Sequence, residues 1–446
     1  MHLFLLLMLL MLSPLIAKEL FTEETIVQYL TEKNPFIYDA VGEKYIYKAK
    51  EEYALGDFDT KISGKLDTKR YPASEADFLD VTAQKPLENG LEFIVGFRQA
   101  EGVQEYNNIK TSEQGEFRIG MSVPIFELLE DTNLRKFNKQ SASLNTIQFN
   151  AQSQDNLRIL YFNIRSLYNN FLYYKSVLEL EKQLYDKADK RKYYVEKRVQ
   201  VGNLPKVALL EIEQQIINRK QRILSAENYY TKVLENFVQY LNLSKEDFLS
   251  KYTFVDILEL EKKYIKIDKA IDIALANRTD LEVLAYEKKK LGLEMKQAKL
   301  LQYPKLNVGV YGVYDLKYND GVKVMFDMEF PVEQRKYKGK YNQIQRGIEN
   351  IENKKEKKII TIKTKLINII NSLDIIKKNI QNVQNEIALV EELENVEYKK
   401  YKVGASNLFL LNQREVYSLE IKKKFLQYTL EYLLLAQEAQ TEMGKI

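Results

Sequence analysis

The stretch GVKVMFDMEFP, Gly321 to Pro331, sets Val322, Val324, Phe326, Met328 and Phe330 against Lys323, Asp327 and Glu329 at a period of two, then stops at a proline. That is the pattern of a strand with one apolar and one charged face. It occurs earlier as GEFRIGMSVP, Gly115 to Pro124, where Phe117, Ile119, Met121 and Val123 alternate with Glu116, Arg118 and Ser122. Each strand runs into a very long heptad helix, a Val-Gly tip (Val201-Gly202 and Val403-Gly404) and a long return helix. Pro124 to Gly202 is 78 residues and Pro331 to Gly404 is 73. The spacing predicts a duplicated unit. The first copy covers 18–243, with short helices, strands within 58–124 and a helix hairpin over 127–243. A linker at 244–279 leads to the second, 280–446, with a helix, strands within 305–331 and a hairpin over 334–444.

The helices are read from their seams. Ile359, Ile362, Leu366, Ile369, Leu373, Ile376, Ile380, Val383, Ile387 and Val390 step by three and four, a period of 3.5 that sets a left-handed supercoil. Leu209, Ile212, Ile216, Arg219, Ile223, Ala226, Tyr230, Val233, Phe237 and Tyr240 keep the same beat, with Arg219 the one charged member. The roughly 70 residues from Gln334 to Val403 make a rod of roughly 105 Å. An ordinary coiled coil has the same heptads but leaves the strands, and the two matched hairpins, without a purpose. Glycine at both tips is expected to allow close backbone approach, within the turn or against a partner; the alternative is a helix end that needs positive φ.

Further strands follow the same rule. Phe58, Thr60, Ile62, Gly64, Leu66 and Thr68 oppose Asp59, Lys61, Ser63, Lys65, Asp67 and Lys69, and Leu91, Phe93, Val95 and Phe97 oppose Glu92, Gly96 and Arg98. Four segments are expected between Phe58 and Pro124, with a turn at Pro86 to Gly90 and a loop at Gln99 to Gly115, and two more at Lys305 to Tyr318 and Gly321 to Phe330. Segments of about ten residues, apolar outward and charged inward, suit a membrane β-barrel, with Tyr71, Phe126, Tyr303 and Tyr318 as interfacial aromatics. A soluble sandwich alternates in the same way. In a barrel, Lys61, Lys65, Lys323 and Asp327 would line the lumen. Six strands from each of three copies make eighteen; with the Phe78 to Gln99 hairpin outside the membrane the total is twelve.

Composition excludes much chemistry. Leu3 to Leu12 is an unbroken apolar run, followed by Pro14 and Ala17 ahead of Lys18-Glu19, so a secretory signal is expected at 1–17, with only His2 in its leading region. No later segment approaches the ~18 apolar residues of a membrane helix, and a closed barrel is the other way to cross lipid. There is no cysteine, hence no disulfide, thiol chemistry or lipid-acceptor Cys, and the single histidine lies in the signal. Most nucleophilic and metal chemistry goes with them. Carboxylate pairs such as Glu391 and Glu392 lack a Gly-rich cleft or metal spacing, so no catalytic, cofactor or metal site is expected. With 67 basic and 63 acidic residues the net charge is +4, and Lys354 to Lys358, interleaved with Glu352 and Glu356, is a solvated helix face, not a nucleic-acid site.

The order of these parts resembles the TolC-like outer-membrane efflux proteins. The resemblance spans essentially the whole mature chain and is carried by Gly-Ala-Ser-Asn-Leu-Phe-Leu-Leu-Asn-Gln-Arg-Glu (Gly404 to Glu415), by Pro304-Lys305-Leu306-Asn307 opening a strand, and by Met328-Glu329-Phe330-Pro331-Val332 closing one. It implies a mainly α protein with membrane β, a homotrimer closing one β-barrel in the outer membrane and one α-barrel tunnel in the periplasm. It also implies a passive exit duct of a tripartite efflux or type I secretion system, working with a periplasmic adaptor and an inner-membrane pump. The tips Val201, Gly202, Asn203, Leu204 and Val403, Gly404, Ala405, Ser406 would meet the adaptor. Some relatives carry aspartates six and nine residues after the second tip glycine, where this chain has Leu410 and Gln413. The nearest carboxylates on a matching turn are Glu211 and Glu213. A structural coiled-coil protein of the envelope is the alternative.

Overall fold

The computed structural model describes residues 18–72, 74–102, 111–260 and 267–445. The signal read at 1–17, the Tyr71 side chain and part of the 244–279 linker lie outside the described residues. The elements run β1 (Glu19–Phe21), α1 (Glu23–Tyr29), α2 (Pro35–Leu55), β2 (Lys61–Tyr71), β3 (Ser74–Pro86), β4 (Glu92–Gly102), β5 (Glu116–Pro124), α3 (Ile125–Leu129), α4 (Leu134–Gln200) and α5 (Val207–Leu241). They continue as α6 (Lys245–Lys251), β6 (Tyr252–Phe254), α7 (Ile267–Asn277), α8 (Thr279–Lys299), β7 (Lys305–Asp315), β8 (Asn319–Glu329), α9 (Arg335–Lys402) and α10 (Leu408–Glu442). The hairpins match: helices of 67 and 35 residues in the first, 68 and 35 in the second.

The chain divides into two units. One comprises Val41–Gln154 and Thr279–Lys358. It holds a single antiparallel six-stranded sheet in the order β2-β3-β4-β5-β7-β8. The register keeps the two faces apart across every strand: Ile62 lies opposite Ala83, Val81 opposite Phe97, Val95 opposite Ile119, Met121 opposite Val310 and Val310 opposite Val324. A slip of one residue anywhere would have mixed the faces. Lys61, Lys65, Lys323 and Asp327 all fall on the other face. There Asp80 accepts from Arg98 at 2.9 Å and from Arg118 at 2.7 Å, an ion cluster the sequence did not announce.

Strand ends differ from the pattern in three places. Phe58 closes a 3₁₀ turn after α2 and the strand starts at Lys61, because the Asp59 amide bonds back to the Gly56 carbonyl. Gln99 to Gly102 extends β4 rather than opening a loop, since each residue finds a partner on β3. Tyr318 belongs to a turn, where the Asp315 carboxylate accepts the Lys317 and Tyr318 amides at 2.8 and 3.1 Å and ends β7. Of the proposed interfacial aromatics, Phe126 and Tyr303 stack on each other at 5.1 Å, and Tyr303 donates to Glu130 at 2.7 Å.

The second unit comprises residues up to Ala40, Asp155–Arg278 and Ile359–Ile446. Here the predicted seams are buried: Ile362, Leu366, Ile369, Leu373, Ile376, Ile380, Val383 and Val390 on α9, and Ile212, Arg219, Ala226 and Phe237 on α5. Its densest packing is an aromatic hub. Phe21 is fully buried, with Tyr168, Phe237, Phe248 and Tyr252 rings between 4.9 and 5.8 Å away. Its strand β1 pairs in parallel with β6, and the Phe21 carbonyl accepts the Tyr168 hydroxyl at 2.9 Å. Three residues of strand are thereby fixed mainly by one side chain. Phe21→Ala is expected to cost about 3 to 5 kcal/mol, read as faster amide hydrogen exchange in β1, β6 and the middle of α4; unchanged exchange would show that the hub is dispensable.

Candidate docking tips and tunnel mouth

Both tips are built by the same backbone device. After α4 the Gly202 amide bonds to the Val199 carbonyl at 3.1 Å and the Asn203 amide to Arg198 at 2.8 Å. After α9 the Gly404 amide bonds to Tyr401 at 3.2 Å and Ala405 to Lys400 at 2.9 Å. This is the Schellman arrangement, which satisfies the last helical carbonyls and requires a left-handed residue. Gly202 and Gly404 have φ of +75° and +82°, and a Cβ on either would meet no atom within 4 Å. Close approach within the turn is therefore not why glycine stands there; the positive φ is.

The exits differ. Asn407 caps α10 by accepting the Leu410 amide at 2.9 Å, whereas α5 starts after Pro205 without a side-chain cap. Of the tip residues, Val201 and Val403 are 68% and 81% exposed, and Asn203 and Ala405 are exposed too. Leu204 instead packs on a cluster of Ala188, Val195, Ala208, Ile212 and Leu408 that joins the two hairpins, and Ser406 bonds Glu397. Each tip thus presents an open valine. Glu211, Leu410 and Gln413 are exposed, while Glu213 pairs with Lys192 at 3.3 Å.

Near the tips two polar layers cross the helix seams. Arg219 is 2% and Glu415 3% exposed. The Arg219 guanidinium donates to the Glu415 carboxylate at 2.8 Å, to Asn412 Oδ1 at 2.7 Å and to the Leu184 carbonyl at 2.5 Å, and Arg191 donates to the same carboxylate at 3.1 Å. One carboxylate from α10 is shared by guanidinium groups from α4 and α5. In the other layer Glu181 takes both an Arg222 fork, at 3.0 to 3.2 Å, and Lys423, at 3.2 Å. Sequence reasoning marked Arg219 as a charge in a seam but missed its partner. The signal was there: Leu408, Leu411, Glu415 and Ser418 step by three and four, so Glu415 also occupies a seam position.

Solved structures of the same shape are outer-membrane channels. OprN matches with a TM-score of 0.72 at 9% identity, over 95% of this chain and 90% of its own. CusC, whose structures follow folding and transmembrane channel formation, matches at 0.71 and 12%, over 95% and 92%. The CmeC channel of Campylobacter jejuni matches at 0.70 and 12%, over 95% and 85%. The chain has the fold of the TolC-like outer-membrane efflux channels. No family model and no curated protein matches it by sequence. The likeness is one of fold, with the resemblance seen in the sequence residing in the order of parts.

Within this fold the buried triad has a definite pH behaviour. Burial alone would raise the Glu415 pKa, but the hydrogen bonds and charges of Arg191 and Arg219 outweigh it and hold the carboxyl below its ordinary range. A depressed folded-state pKa contributes stability above the unfolded value of ~4.3, lost as pH falls through the folded one. The triad should therefore be indifferent between pH 7 and 5.5 and loosen only in stronger acid. Glu415→Gln, which strands two guanidinium groups, should cost about 3 to 5 kcal/mol. Hydrogen exchange around Leu184, Arg219 and Glu415 at pH 7 measures it; wild-type protection in the variant would remove the triad as a clamp.

Proposed function

We propose that this chain is the outer-membrane exit duct of a tripartite efflux or type I secretion machine, a passive conduit that works as a homotrimer with a periplasmic adaptor and an inner-membrane pump. The observation that carries it is the open apolar face of the sheet. Ile62, Leu66, Val322, Phe326 and Met328 are 70 to 78% exposed, and Phe93, Val95, Phe117, Ile119, Val310 and Val324 are exposed beside them. A continuous face of that kind is untenable in water and natural in lipid. An envelope rod gives it no role. The opposite face, with Lys61, Lys65, Lys323 and Asp327, is then the lumen.

Exposed stripes on the helices support association of copies. Val207, Leu210, Ile217 and Leu224 on α5, and Ile360, Ile367, Ile375, Leu389, Leu393 and Val396 on α9, are 40 to 65% exposed at near-heptad spacing. They are second seams, off the buried one, such as a helix needs when it packs against neighbours on two sides. Gating is then a two-state repacking of helices near the tips, where the ion layers lie.

Two outcomes test this function. Val324→Lys, on the lipid face, should cost about 2 to 4 kcal/mol near the midplane and lower the outer-membrane level, whereas Lys323→Val should leave that level unchanged; equal loss from both would sink the barrel. At the tips, Asn203→Trp and Ala405→Trp keep the glycine backbone intact and add bulk beside the exposed valines. Both variants should reach the outer membrane at wild-type level yet fail in export and in crosslinking to the adaptor. Normal export by both would rule out docking there.

A further inference from the structure

Among the described residues β2 and β8 are the outer strands of the sheet, each hydrogen-bonded on one side only, and each is 11 residues long. Their directions are opposite, because the sheet is antiparallel throughout and holds an even number of strands. β8 of one copy can thus continue antiparallel into β2 of the next. We propose that three copies join by this β8–β2 seam into an eighteen-stranded barrel, all six strands of each copy taking part, with Lys61 of one copy opposite Glu329 of the next. The count of three rests on the trimeric channel reading; the seam and its register rest on the sheet.

The register comes from the stagger. Following cross-strand partners from Lys61 through Gln84, Ile94, Gly120 and Tyr311 leads to Lys323, six residues before β8 ends at Glu329. Pairing the next Lys61 with Glu329 makes the rows climb those six residues per copy. Over three copies the shear then equals the number of strands, which for strands ~4.8 Å apart rising ~3.3 Å per residue gives a tilt of about 35°, within the range of closed barrels.

The side chains agree with this register at both ends and through most of its length, with Lys65 opposite Met325 the exception. Lys61 meets Glu329, Asp67 meets Lys323 and Arg70 meets Asp320, three pairs of opposite charge. Ile62 meets Met328 and Leu66 meets Val324 on the lipid face, and Phe326 falls across Gly64, where a Cβ would find no atom within 4 Å. Shifting by one residue would turn the apolar face of one strand onto the charged face of the other. A twelve-stranded barrel would require β2 and β3 to leave the wall and β4 to become the edge. That would remove Leu79, Val81, Ile62 and Leu66 from the lipid face and break the Asp80 pairs with Arg98 and Arg118. Eighteen strands give a wall about 34 Å across, against about 23 Å for twelve, roughly doubling the cross-section.

The absence of cysteine makes the test clean. Ser63→Cys with Asp327→Cys places thiols on directly opposite residues of the proposed seam, and Ile94→Cys with Asp327→Cys does the same for a seam at β4. Full-length protein in outer membranes is oxidised and run without reductant, and copies are counted by light scattering of the detergent-extracted protein. The first pair should give covalent trimers at least tenfold above either single-cysteine variant, and the second pair none. Crosslinking by the second pair, or by neither in a protein that still extracts as three chains, overturns the eighteen-stranded wall and leaves the channel intact. A monomeric particle would overturn both. As a second measurement, Asp67→Lys should weaken the trimer to heat and Lys323→Asp in the same chain should restore it; failure of the rescue also counts against the register.

Discussion

Backbone groups have no water to bond inside a bilayer, and under the proposed outer-membrane placement this one constraint organises the sheet. Each unpaired amide or carbonyl there costs several kcal/mol, so in that setting a sheet with two open edges would have to be closed by other copies of itself. Alternation suits the same setting: with lipid on one side and water on the other, side chains would sort by face, and through the middle of the strands most do, Ile62, Leu66, Val95, Ile119, Val310 and Val324 on one side and Lys61, Lys65, Arg98, Arg118 and Lys323 on the other. Even strand counts matter as well. β5 and β8 both end at the rim where Pro124 lies opposite Asn307 and Lys305 opposite Glu329, so each half delivers the chain to its long helix from the same edge.

A heptad seam has the opposite weakness, because a repeating apolar stripe packs nearly as well after a slide of seven residues. Polar layers remove that degeneracy. With Glu415 between Arg191 and Arg219, and Glu181 between Arg222 and Lys423, a slide would strand buried charges at several kcal/mol each. Such layers fix which turn of one hairpin faces which turn of the other, the use for which buried polar groups in coiled coils are best attested. Their contribution is to register more than to net stability.

Most of the architecture was legible because it is periodic. A period of two gave the strands and their faces, a period of 3.5 gave the seams, and repetition gave the matched hairpins. Features held by single contacts were not. Glu19-Leu20-Phe21 has no period, and nothing in it announces that Phe21 sits among five aromatic rings. Asp80 lay unremarked, since its two arginines are 18 and 38 residues away and only strand pairing brings them close. At the tips the Val-Gly pair was visible but its cause was not: sequence cannot separate a glycine that makes room from one that supplies positive φ, and the empty space around a Cβ at Gly202 and Gly404 decides for the second.

The charges on the polar face of the sheet bear on where selectivity resides. Asp80 is neutralised by Arg98 and Arg118, Glu116 lies within 4.0 Å of the same two arginines, and Lys305 answers Glu329 at 3.3 Å. Paired charges of this kind make a face polar without giving it a strong field of one sign. Were this face the lumen of the proposed duct, these pairs would not sort solutes by charge. Under the proposed duct function, discrimination would then fall to the helix tips, where the exposed Leu410 and Gln413 stand in place of carboxylates. A mouth of that composition would close by helix packing, and the ion layers of Glu415 with Arg191 and Arg219 and of Glu181 with Arg222 and Lys423 would set how firmly that packing holds.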